Sequence, residues 1–164
     1  MVIVIGGGDW SENRLIPDCI KSINSNKTII LRNPYFNRPW QHVLEPLSGY
    51  LILAKKLYEN PLKFSSAWNF GSEKNTVTDV LTVVKKIIKI WGKGKLKFSK
   101  KNKYYEQKNL QLNINKARKK LSWRPKLPIF ESINFTVEWY KQTIIHKKNP
   151  YLVTKNQIKE FLNY

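Results

Sequence analysis

The sequence predicts an α/β fold built on a thin sheet. Short runs of β-branched and other apolar residues, which are typical of buried strands, alternate along the chain with longer segments of helical periodicity. A length of 164 residues corresponds to one domain large enough to enclose a core. An apolar content of 41%, with 13% aromatic residues, indicates a folded chain. Because few of the runs resemble strands, the expected sheet is small.

The first quarter of the chain is predicted to form strands around one helix. The apolar run Val2–Ile5 predicts a buried parallel strand. It leads into glycines 6–8, which permit positive φ and close approach of a ligand to the backbone. A helix over 17–23 follows, since the proline at its start costs no hydrogen bond in a first turn. Residues 27–32 predict a β-branched strand and residues 41–44 a short extended piece.

The middle of the chain predicts two amphipathic helices. The first covers residues 44–59, and we expect its apolar stripe to face the core: Leu44, Leu47, Leu51, Ala54 and Tyr58. Ala67–Phe70 is predicted to be a short buried strand. Thr76 and Asp79 resemble a capping box at the start of the second helix, and Gly92 is a natural residue to follow its end. A strand over 95–99 is expected next.

The last third predicts one exposed loop, one strand and three helices. Residues 100–109 are polar and basic, and residues 110–114 alternate as a strand does. Asn115 can cap a short helix over 116–121. A long helix over 128–147 is expected to direct the following residues inward: Phe130, Ile133, Val137, Tyr140 and Ile144. Residues 154–162 predict a small tail helix.

The formal charge of +19 at pH 7 raises the possibility of a nucleic-acid-binding module. Residues 93–108 would be its contact surface, with Tyr104 and Tyr105 as stacking residues. However, 25 of the 30 basic residues are lysine, whereas bidentate recognition of phosphates and bases favours arginine. The lysines are also spread along the chain. We therefore favour a solvated lysine-rich surface and regard nucleic acid as the less favoured partner.

Other features of the sequence predict a cytoplasmic protein without a membrane span. Cys19 is the single cysteine, which excludes an internal disulfide and fits a reducing compartment. No run of about 18 apolar residues is present, so no membrane-spanning helix is predicted. The N-terminus lacks the basic and long apolar regions of a signal peptide.

Six short motifs give the chain a family resemblance. They follow one another in this order: Val4–Trp10, Arg14–Asp18, Arg38–Tyr50, Ala67–Gly71, Lys116–Ala117 with Leu121–Pro125, and Thr136–Tyr140. With these motifs the chain resembles the C-terminal half of the extended short-chain dehydrogenase/reductases that act as nucleotide-sugar epimerases and dehydratases. The first and third motifs resemble the branch that acts on CDP-glucose.

The resemblance implies a partial structure. We expect the C-terminal part of an NAD(P)-binding Rossmann-like protein, with a partial sheet and a small α/β substrate domain, and with the N-terminal Rossmann core missing. Residues 1–148 would be the nucleotide-sugar-binding part, and residues 149–164 a basic tail with a possible short helix. In relatives the enzyme oxidises the hexose at C4, eliminates water across C5 and C6, and returns the hydride at C6. The products of such enzymes imply deoxysugars of surface polysaccharides.

The resemblance also implies candidate substrate-binding residues. Arg38 matches an arginine that contacts the nucleotide or its diphosphate, a charge-assisted pairing suited to guanidinium. The other matched positions are Arg14 beside the pocket, Leu15, Ile29 and Leu31 at the base, and Asn69 on the substrate side. Each has a simpler alternative: Arg38 as a surface arginine, Asn69 as a turn residue, and the three apolar residues as plain core. At Ile3, relatives carry an asparagine that touches the substrate.

The expected catalytic residues are missing from this chain. The NAD fingerprint and the catalytic Tyr-x-x-x-Lys set lie upstream of the matched segment in relatives. Glycines 6–8 are no substitute, because the dinucleotide pattern would require glycine at Ser11. The strings Tyr104–Lys108 and Tyr151–Lys155 occur at chance frequency in this composition and do not follow the required strand. We therefore assign no catalytic, cofactor-binding or metal-binding residue, and expect an inactive fragment whose NAD site would come from a separate N-terminal half.

Two further expectations concern conspicuous side chains. His42 could suggest acid–base chemistry, but its place in a half-buried strand favours a satisfied structural histidine. The tryptophans at positions 10, 68, 123 and 139 are interpreted as core anchors. In the relatives, homodimers form mainly through helices of the half that is missing here.

Overall fold

The computed structural model of the chain describes residues 3–73, 78–99 and 112–164. The strands are β1 (Ile3–Ile5), β2 (Thr28–Leu31), β3 (Asn37–Arg38), β4 (Trp40–His42), β5 (Thr78–Asp79) and β6 (Lys95–Phe98). The helices are α1 (Leu15–Asn24), α2 (Leu44–Glu59), α3 (Pro61–Phe64), α4 (Val80–Trp91), α5 (Asn115–Leu121), α6 (Ile129–Tyr140) and α7 (Pro150–Leu162). Helix α6 continues into a π-helical turn over Lys141–Ile145. The predicted α/β class is confirmed.

The described strands form three pairs. β1 lies parallel to β4, with Ile3 opposite Trp40 and Ile5 opposite His42. β2 lies parallel to β6, and β3 is antiparallel to β5. Parallel neighbours need a crossover connection, which α1 supplies between β1 and β4 and α4 supplies between β2 and β6. The partial sheet expected from the sequence is therefore present.

The main core lies where helices α1, α4 and α6 pack around β1, β2 and β4. Its most deeply buried side chains have no solvent exposure: Ile20, Val83, Val84, Ile87, Ile133, Val137 and Tyr140. Burial of one such aliphatic side chain contributes about 1.5–3 kcal/mol relative to leaving it in water. A second cluster joins α2, α3 and α5 through Phe64, Phe70 and Trp123.

Helix α2 has the predicted bounds, but the predicted orientation of its apolar stripe is wrong. Leu51 is 74% exposed and Tyr58 is 92% exposed, so these members of the stripe face solvent. The opposite side packs inward instead, through Glu45, Pro46 and Gly49. The sequence misleads here because both sides of α2 carry apolar residues, and periodicity cannot decide which of them is covered.

Two predicted core aromatics are also largely exposed. Trp10 is 48% exposed, and its ring packs against Tyr140 in a T-shaped arrangement at a centroid distance of 5.2 Å. Phe130 is 46% exposed, with the Lys86 ammonium 5.5 Å from its ring centroid. Trp123 and Trp139 are buried as expected. The rule that tryptophan anchors a core therefore fails at Trp10, which lies in a surface loop.

Several local predictions need correction. Residues 67–70 form no strand, because the Phe70 carbonyl accepts from the Gln41 side chain instead of a ladder partner. The strand predicted over 110–114 is absent at 112–114, and residues 110 and 111 lie outside the described part. Asp79 caps α4 itself, since its carboxylate accepts from the Thr82 amide at 2.8 Å. Thr76 and the loop over 100–109 also lie outside the described residues.

The ends of helices α4, α5 and α7 can also be compared with the sequence-based expectations. Gly92 follows α4 with φ of 93°, as the predicted C-terminal signal requires. The short helix begins at Asn115 itself, so the prediction that Asn115 caps it is wrong: Ile114 holds the cap position, and the Asn115 amide donates to the Asn113 side chain at 2.9 Å. Helix α7 begins at Pro150, earlier than predicted, because Asn149 caps it. Val153 and Phe161 attach α7 to the body.

Glu45 fixes the start of α2 against the loop before α6. One carboxylate oxygen, Oε1, accepts from the backbone amides of Lys126 at 2.8 Å and Leu127 at 2.6 Å. The side chain is 1% exposed. Burial raises the pKa of this carboxyl, while the two amides favour the charged form. Without this acceptor, two amide donors would be left unpaired inside the protein.

We expect E45A to lower the free energy of unfolding by at least about 2 kcal/mol, because it leaves both amides unpaired. E45Q keeps an acceptor oxygen of similar reach, so its loss is expected to be less than half as large. Urea unfolding of the wild type and the two variants measures both differences. Equal losses in E45A and E45Q would show that the charge, and not the acceptor, is required.

Candidate functional site

Two adjoining cavities flank helix α1. The first, the α1–β2 cavity, has a volume of about 430 Å³ and lies between α1, β2 and β3. The second, the β1–α1 cavity, has a volume of about 410 Å³ and lies over β1 and the start of α1. They share the lining residues Ile3, Asn13, Leu15 and Trp40. Both volumes fall in the range of about 300–1,000 Å³ that is typical of small-molecule sites.

One face of α1 forms a wall of the α1–β2 cavity. Leu15, Asp18, Cys19 and Ser22 all line it, and their spacing of three, four and seven residues places them on one side of a helix. Burial raises the pKa of the Cys19 thiol to about 12, so this group stays protonated near neutral pH. The wall therefore combines apolar surface with hydroxyl and carboxylate groups.

Strand β2 forms the opposite wall. Ile29 and Leu31 are buried at 4% and 3% exposure, and both line the cavity together with Thr28 and Arg32. Ile29 and Leu31 are buried because side chains alternate between the two faces of a strand, whereas Ile30 is 67% exposed and also lines the cavity. An apolar strand surface opposite a helix face leaves a slot suited to a flat ring.

Arg38 brings a buried positive charge to the same cavity. The residue is 7% exposed, lines the α1–β2 cavity, and belongs to β3, which is held by its pairing with β5. Its Nη1 donates to the Asn37 carbonyl at 3.0 Å, and its guanidinium carbon lies 5.2 Å from the centroid of the Phe36 ring. Arg38 is therefore no surface arginine, and its position suits an anionic group of a ligand.

Arg14 is held at the mouth of the β1–α1 cavity. It forms an ion pair with Asp9, with Nη1 and Oδ2 3.7 Å apart. Burial opposes ionisation of Asp9, but the Ser11 backbone amide and Arg14 outweigh it and hold the pKa of Asp9 below its usual value. Arg14 and Leu15 both line this cavity. The pair orients the exposed guanidinium of Arg14 near the loop that contains glycines 6–8, called the glycine loop below.

Five of the six predicted substrate residues thus line the two adjoining cavities, while Asn69 lies apart. The Asn69 amide donates to the Asn113 carbonyl at 3.4 Å, and the residue is exposed and lines neither cavity. Sequence reasoning missed the polar lining residues Asn13, Asp18 and Ser22. The spacing from Leu15 along α1 is the signal that identifies Asp18 and Ser22.

The glycine loop does not fit the pyrophosphate of a dinucleotide. A Cβ added at Gly7 would lie 2.0 Å from Cγ of Trp139, and one at Gly8 would lie 3.4 Å from the same side chain. The close approach that these glycines allow is therefore used by Trp139 of α6. Helix α1 begins at Leu15, well after the loop, so its N-terminus is not presented there.

The remaining candidates for chemistry lie elsewhere. Tyr151 is 69% exposed on α7 and lines neither cavity. The Lys155 ammonium lies 5.9 Å from the centroid of the Tyr151 ring. The string at 104–108 lies outside the described residues.

Within the described residues, no group of three or more His, Cys, Asp or Glu side chains could hold a metal ion. Nor is any helix there long and apolar enough to cross a membrane.

His42 lies in the core and lines neither cavity. Its Nδ1 accepts from the Leu44 amide at 3.4 Å, and its ring meets Phe135 edge-on at a centroid distance of 5.5 Å. Nε2 has no hydrogen-bond partner among the described residues. Burial lowers the pKa of His42 to about 4. These surroundings favour a neutral structural histidine, although only one of its nitrogens is satisfied.

Comparison with known sequences agrees with the resemblance. No protein-family model matches the chain. A CDP-glucose 4,6-dehydratase of Salmonella typhimurium is 39% identical to it over 161 residues. The alignment covers 98% of this chain but 45% of that protein, in its C-terminal part. The chain therefore spans less than half the length of this relative.

Solved structures show the same fold. A dTDP-glucose 4,6-dehydratase from Bacillus anthracis, in complex with NAD, matches 87% of the chain with a TM-score of 0.69 and 21% identity. A UDP-glucuronic acid 4-epimerase from Bacillus cereus matches 85% with a TM-score of 0.67 and 17% identity. An epimerase from Methanothermobacter thermautotrophicus matches 93% with a TM-score of 0.73 and 18% identity. In each case the match covers 43% of the solved chain, and it confirms the partial Rossmann-like fold.

The contact between Gly7 and Trp139 predicts that G7A destabilises the fold by about 1–3 kcal/mol, because a methyl group overpacks a filled space. W139A removes Cγ and Cδ2 of Trp139, the two atoms that the added methyl group would approach most closely, and so relieves most of the overlap. In a double-mutant cycle measured by urea unfolding, G7A should therefore cost less in the W139A background than in the wild type. A neutral G7A in the wild-type background would contradict the packing described here.

The depressed pKa of His42 predicts a loss of stability in acid. Between pH 6.5 and about 4 the unfolded state binds the proton that folded His42 rejects, so the free energy of unfolding falls as pH falls. At pH 5 the loss is about 2 kcal/mol relative to pH 7. H42Q removes this titration. The raised pKa of Glu45 acts in the opposite direction in both proteins, so the difference between their thermal unfolding profiles isolates His42.

Proposed function

We propose, from the premise that this chain is the counterpart of the C-terminal part of a CDP-glucose 4,6-dehydratase, that it forms the nucleotide-sugar-binding side of such an enzyme. The complete enzyme would convert CDP-glucose to CDP-4-dehydro-6-deoxyglucose and water, which is a lyase reaction. The chain alone would bind the nucleotide sugar weakly and catalyse nothing. The chain has a single cysteine, which supports placing the protein in a reducing compartment such as the cytoplasm.

The observation that carries this proposal is the composition of the α1–β2 cavity. It combines apolar walls at Leu15, Ile29 and Leu31 with the buried guanidinium of Arg38. A nucleotide sugar needs both, because its base offers flat apolar faces and its diphosphate is anionic. Charge-assisted bonds from a guanidinium to phosphate are shorter and stronger than neutral ones. Asn69 would join the site only if the substrate extends toward Asn113.

Catalysis would require groups from another part of the enzyme. The hydride acceptor NAD belongs to the proposed complete enzyme, and the solved dehydratase and epimerase named above are NAD complexes. The glycine loop of this chain is filled by Trp139 and offers no room for that cofactor. The residues of this chain would therefore bind and orient the nucleotide, while a Rossmann half would supply the redox and acid–base groups.

Two surfaces support such a second half, whether it is a separate chain or another part of the same polypeptide. Among the described strands, β1 has a neighbour only on the β4 side, so its other edge could pair with a further parallel strand. Helix α2 exposes Leu47, Tyr50, Leu51 and Tyr58. Such an apolar face is typical of a protein–protein contact. A homodimer of the complete enzyme is also expected.

The nucleic-acid alternative has no comparable support. Most of the segment proposed for it, residues 100–108, lies outside the described residues, and the relatives named above are nucleotide-sugar enzymes. It predicts oligonucleotide binding that weakens steeply with salt. Nucleotide-sugar binding predicts instead a preference for CDP-glucose over dTDP-glucose.

The proposal predicts that R38M weakens CDP-glucose binding at least tenfold, because methionine keeps the stem of arginine but removes the phosphate partner. R124A is the matched control, since Arg124 is exposed and lines neither cavity. Calorimetric or NMR titration of folded protein measures both affinities. Absence of binding by the folded wild type to either nucleotide sugar would defeat the proposal.

A further inference from the structure

We propose that the Asp18 carboxylate reads the nucleobase, accepting a hydrogen bond from the exocyclic N4 amino group of cytosine. Asp18 thereby selects cytidine diphosphate sugars over those of uridine and thymidine. The inference rests on the proposed function and deepens it, because it assigns base selection to one side chain.

The position of Asp18 makes its carboxylate available to a ligand. It lies in the first turn of α1 and lines the α1–β2 cavity on the same helix face as Leu15 and Ser22. Within the described part of the chain it forms no ion pair and no side-chain hydrogen bond, whereas Asp9 and Asp79 both do. A cavity-lining carboxylate without a protein partner retains its full acceptor capacity.

The charged residues that line the cavity carry both signs. Asp18 is the one acidic side chain among the described lining residues, whereas Arg32 and Arg38 are its cations, the first exposed and the second buried. A diphosphate is attracted to Arg38 and repelled by Asp18, so the phosphates and Asp18 belong at different ends of a bound nucleotide. The base is the neutral end and therefore lies toward α1, with Ile29 and Leu31 of β2 covering one of its faces.

The chemistry of the bases then makes Asp18 selective. Cytosine presents an amino donor at C4, whereas uracil and thymine present a carbonyl acceptor there. An ionised carboxylate can only accept, so it bonds the cytosine amino group and opposes a carbonyl at the same position. The neighbouring hydroxyls of Ser22 and Thr28 both donate and accept, so they cannot make this distinction alone.

The test is the ratio of two affinities, measured on the full chain by NMR titration with CDP and with UDP. The wild type is expected to bind CDP about tenfold more tightly, a ratio that corresponds to one good polar contact to a base edge. D18L should bring the ratio close to one. Removal of the negative charge also changes attraction of the phosphates, but that change is common to both ligands and leaves the ratio unaffected.

The matched control is E12L, which removes a neighbouring acidic charge at an exposed residue that lines neither cavity. It should keep the wild-type ratio. Equal binding of CDP and UDP by the wild type, or an unchanged ratio in D18L, would overturn the assignment. A preference for UDP that D18L abolishes would overturn it as well, because the carboxylate would then accept from the uracil N3–H. Failure of folded protein to bind either ligand would instead reject the nucleotide site itself.

Discussion

The pairing of β1 with β4 is the constraint on which the rest of the structure depends. The Ile3 amide donates to the Pro39 carbonyl at 3.0 Å, and the Val43 amide donates to the Ile5 carbonyl at 2.8 Å. These bonds join segments that are far apart in the sequence. Because β1 leads to α1 and β4 follows β3, the pairing brings Leu15 and Arg38 to one cavity. Loss of this contact would remove the link that brings Leu15 and Arg38 together.

Buried polar groups fix the surrounding elements in place. Glu45 binds the loop before α6 to the start of α2, and the Trp40 indole donates to the Thr78 carbonyl at 3.1 Å, which holds β5 beside β4. The Tyr140 hydroxyl donates to the Asp9 carbonyl and so connects α6 to the glycine loop. Each of these contacts leaves a buried donor or acceptor unpaired if broken, so each is costly to lose.

Much of the fold followed from local sequence, but the orientation of exposed faces did not. The bounds of α2, the strand β2 and the glycine after α4 depend on periodicity and on backbone conformation, which are local properties. The exposure of Leu51 and Trp10 depends on what the other parts of the molecule cover, and no local pattern contains that information. The same holds at residues 67–70, where a side chain of β4 takes the place of a ladder.

The site shows a similar division. Arg38, Leu15, Ile29 and Leu31 came from the family resemblance, and the structure brings them to a common cavity. Asp18 was overlooked because an acidic residue early in a helix has an ordinary explanation, favourable interaction with the helix dipole. Only the cavity distinguishes it. The glycine loop resembles a phosphate site in sequence, yet Trp139 occupies the space that such a site would need.

The central claim, that the α1–β2 cavity is the nucleotide end of a nucleotide-sugar site, is tested most directly by mapping amide chemical-shift changes in the 164-residue chain during titration with CDP-glucose. The account predicts that the largest changes fall on α1, β2 and the residues around Arg38. Changes confined to residues 93–108 or to α7, or no changes on a folded sample, would contradict this claim.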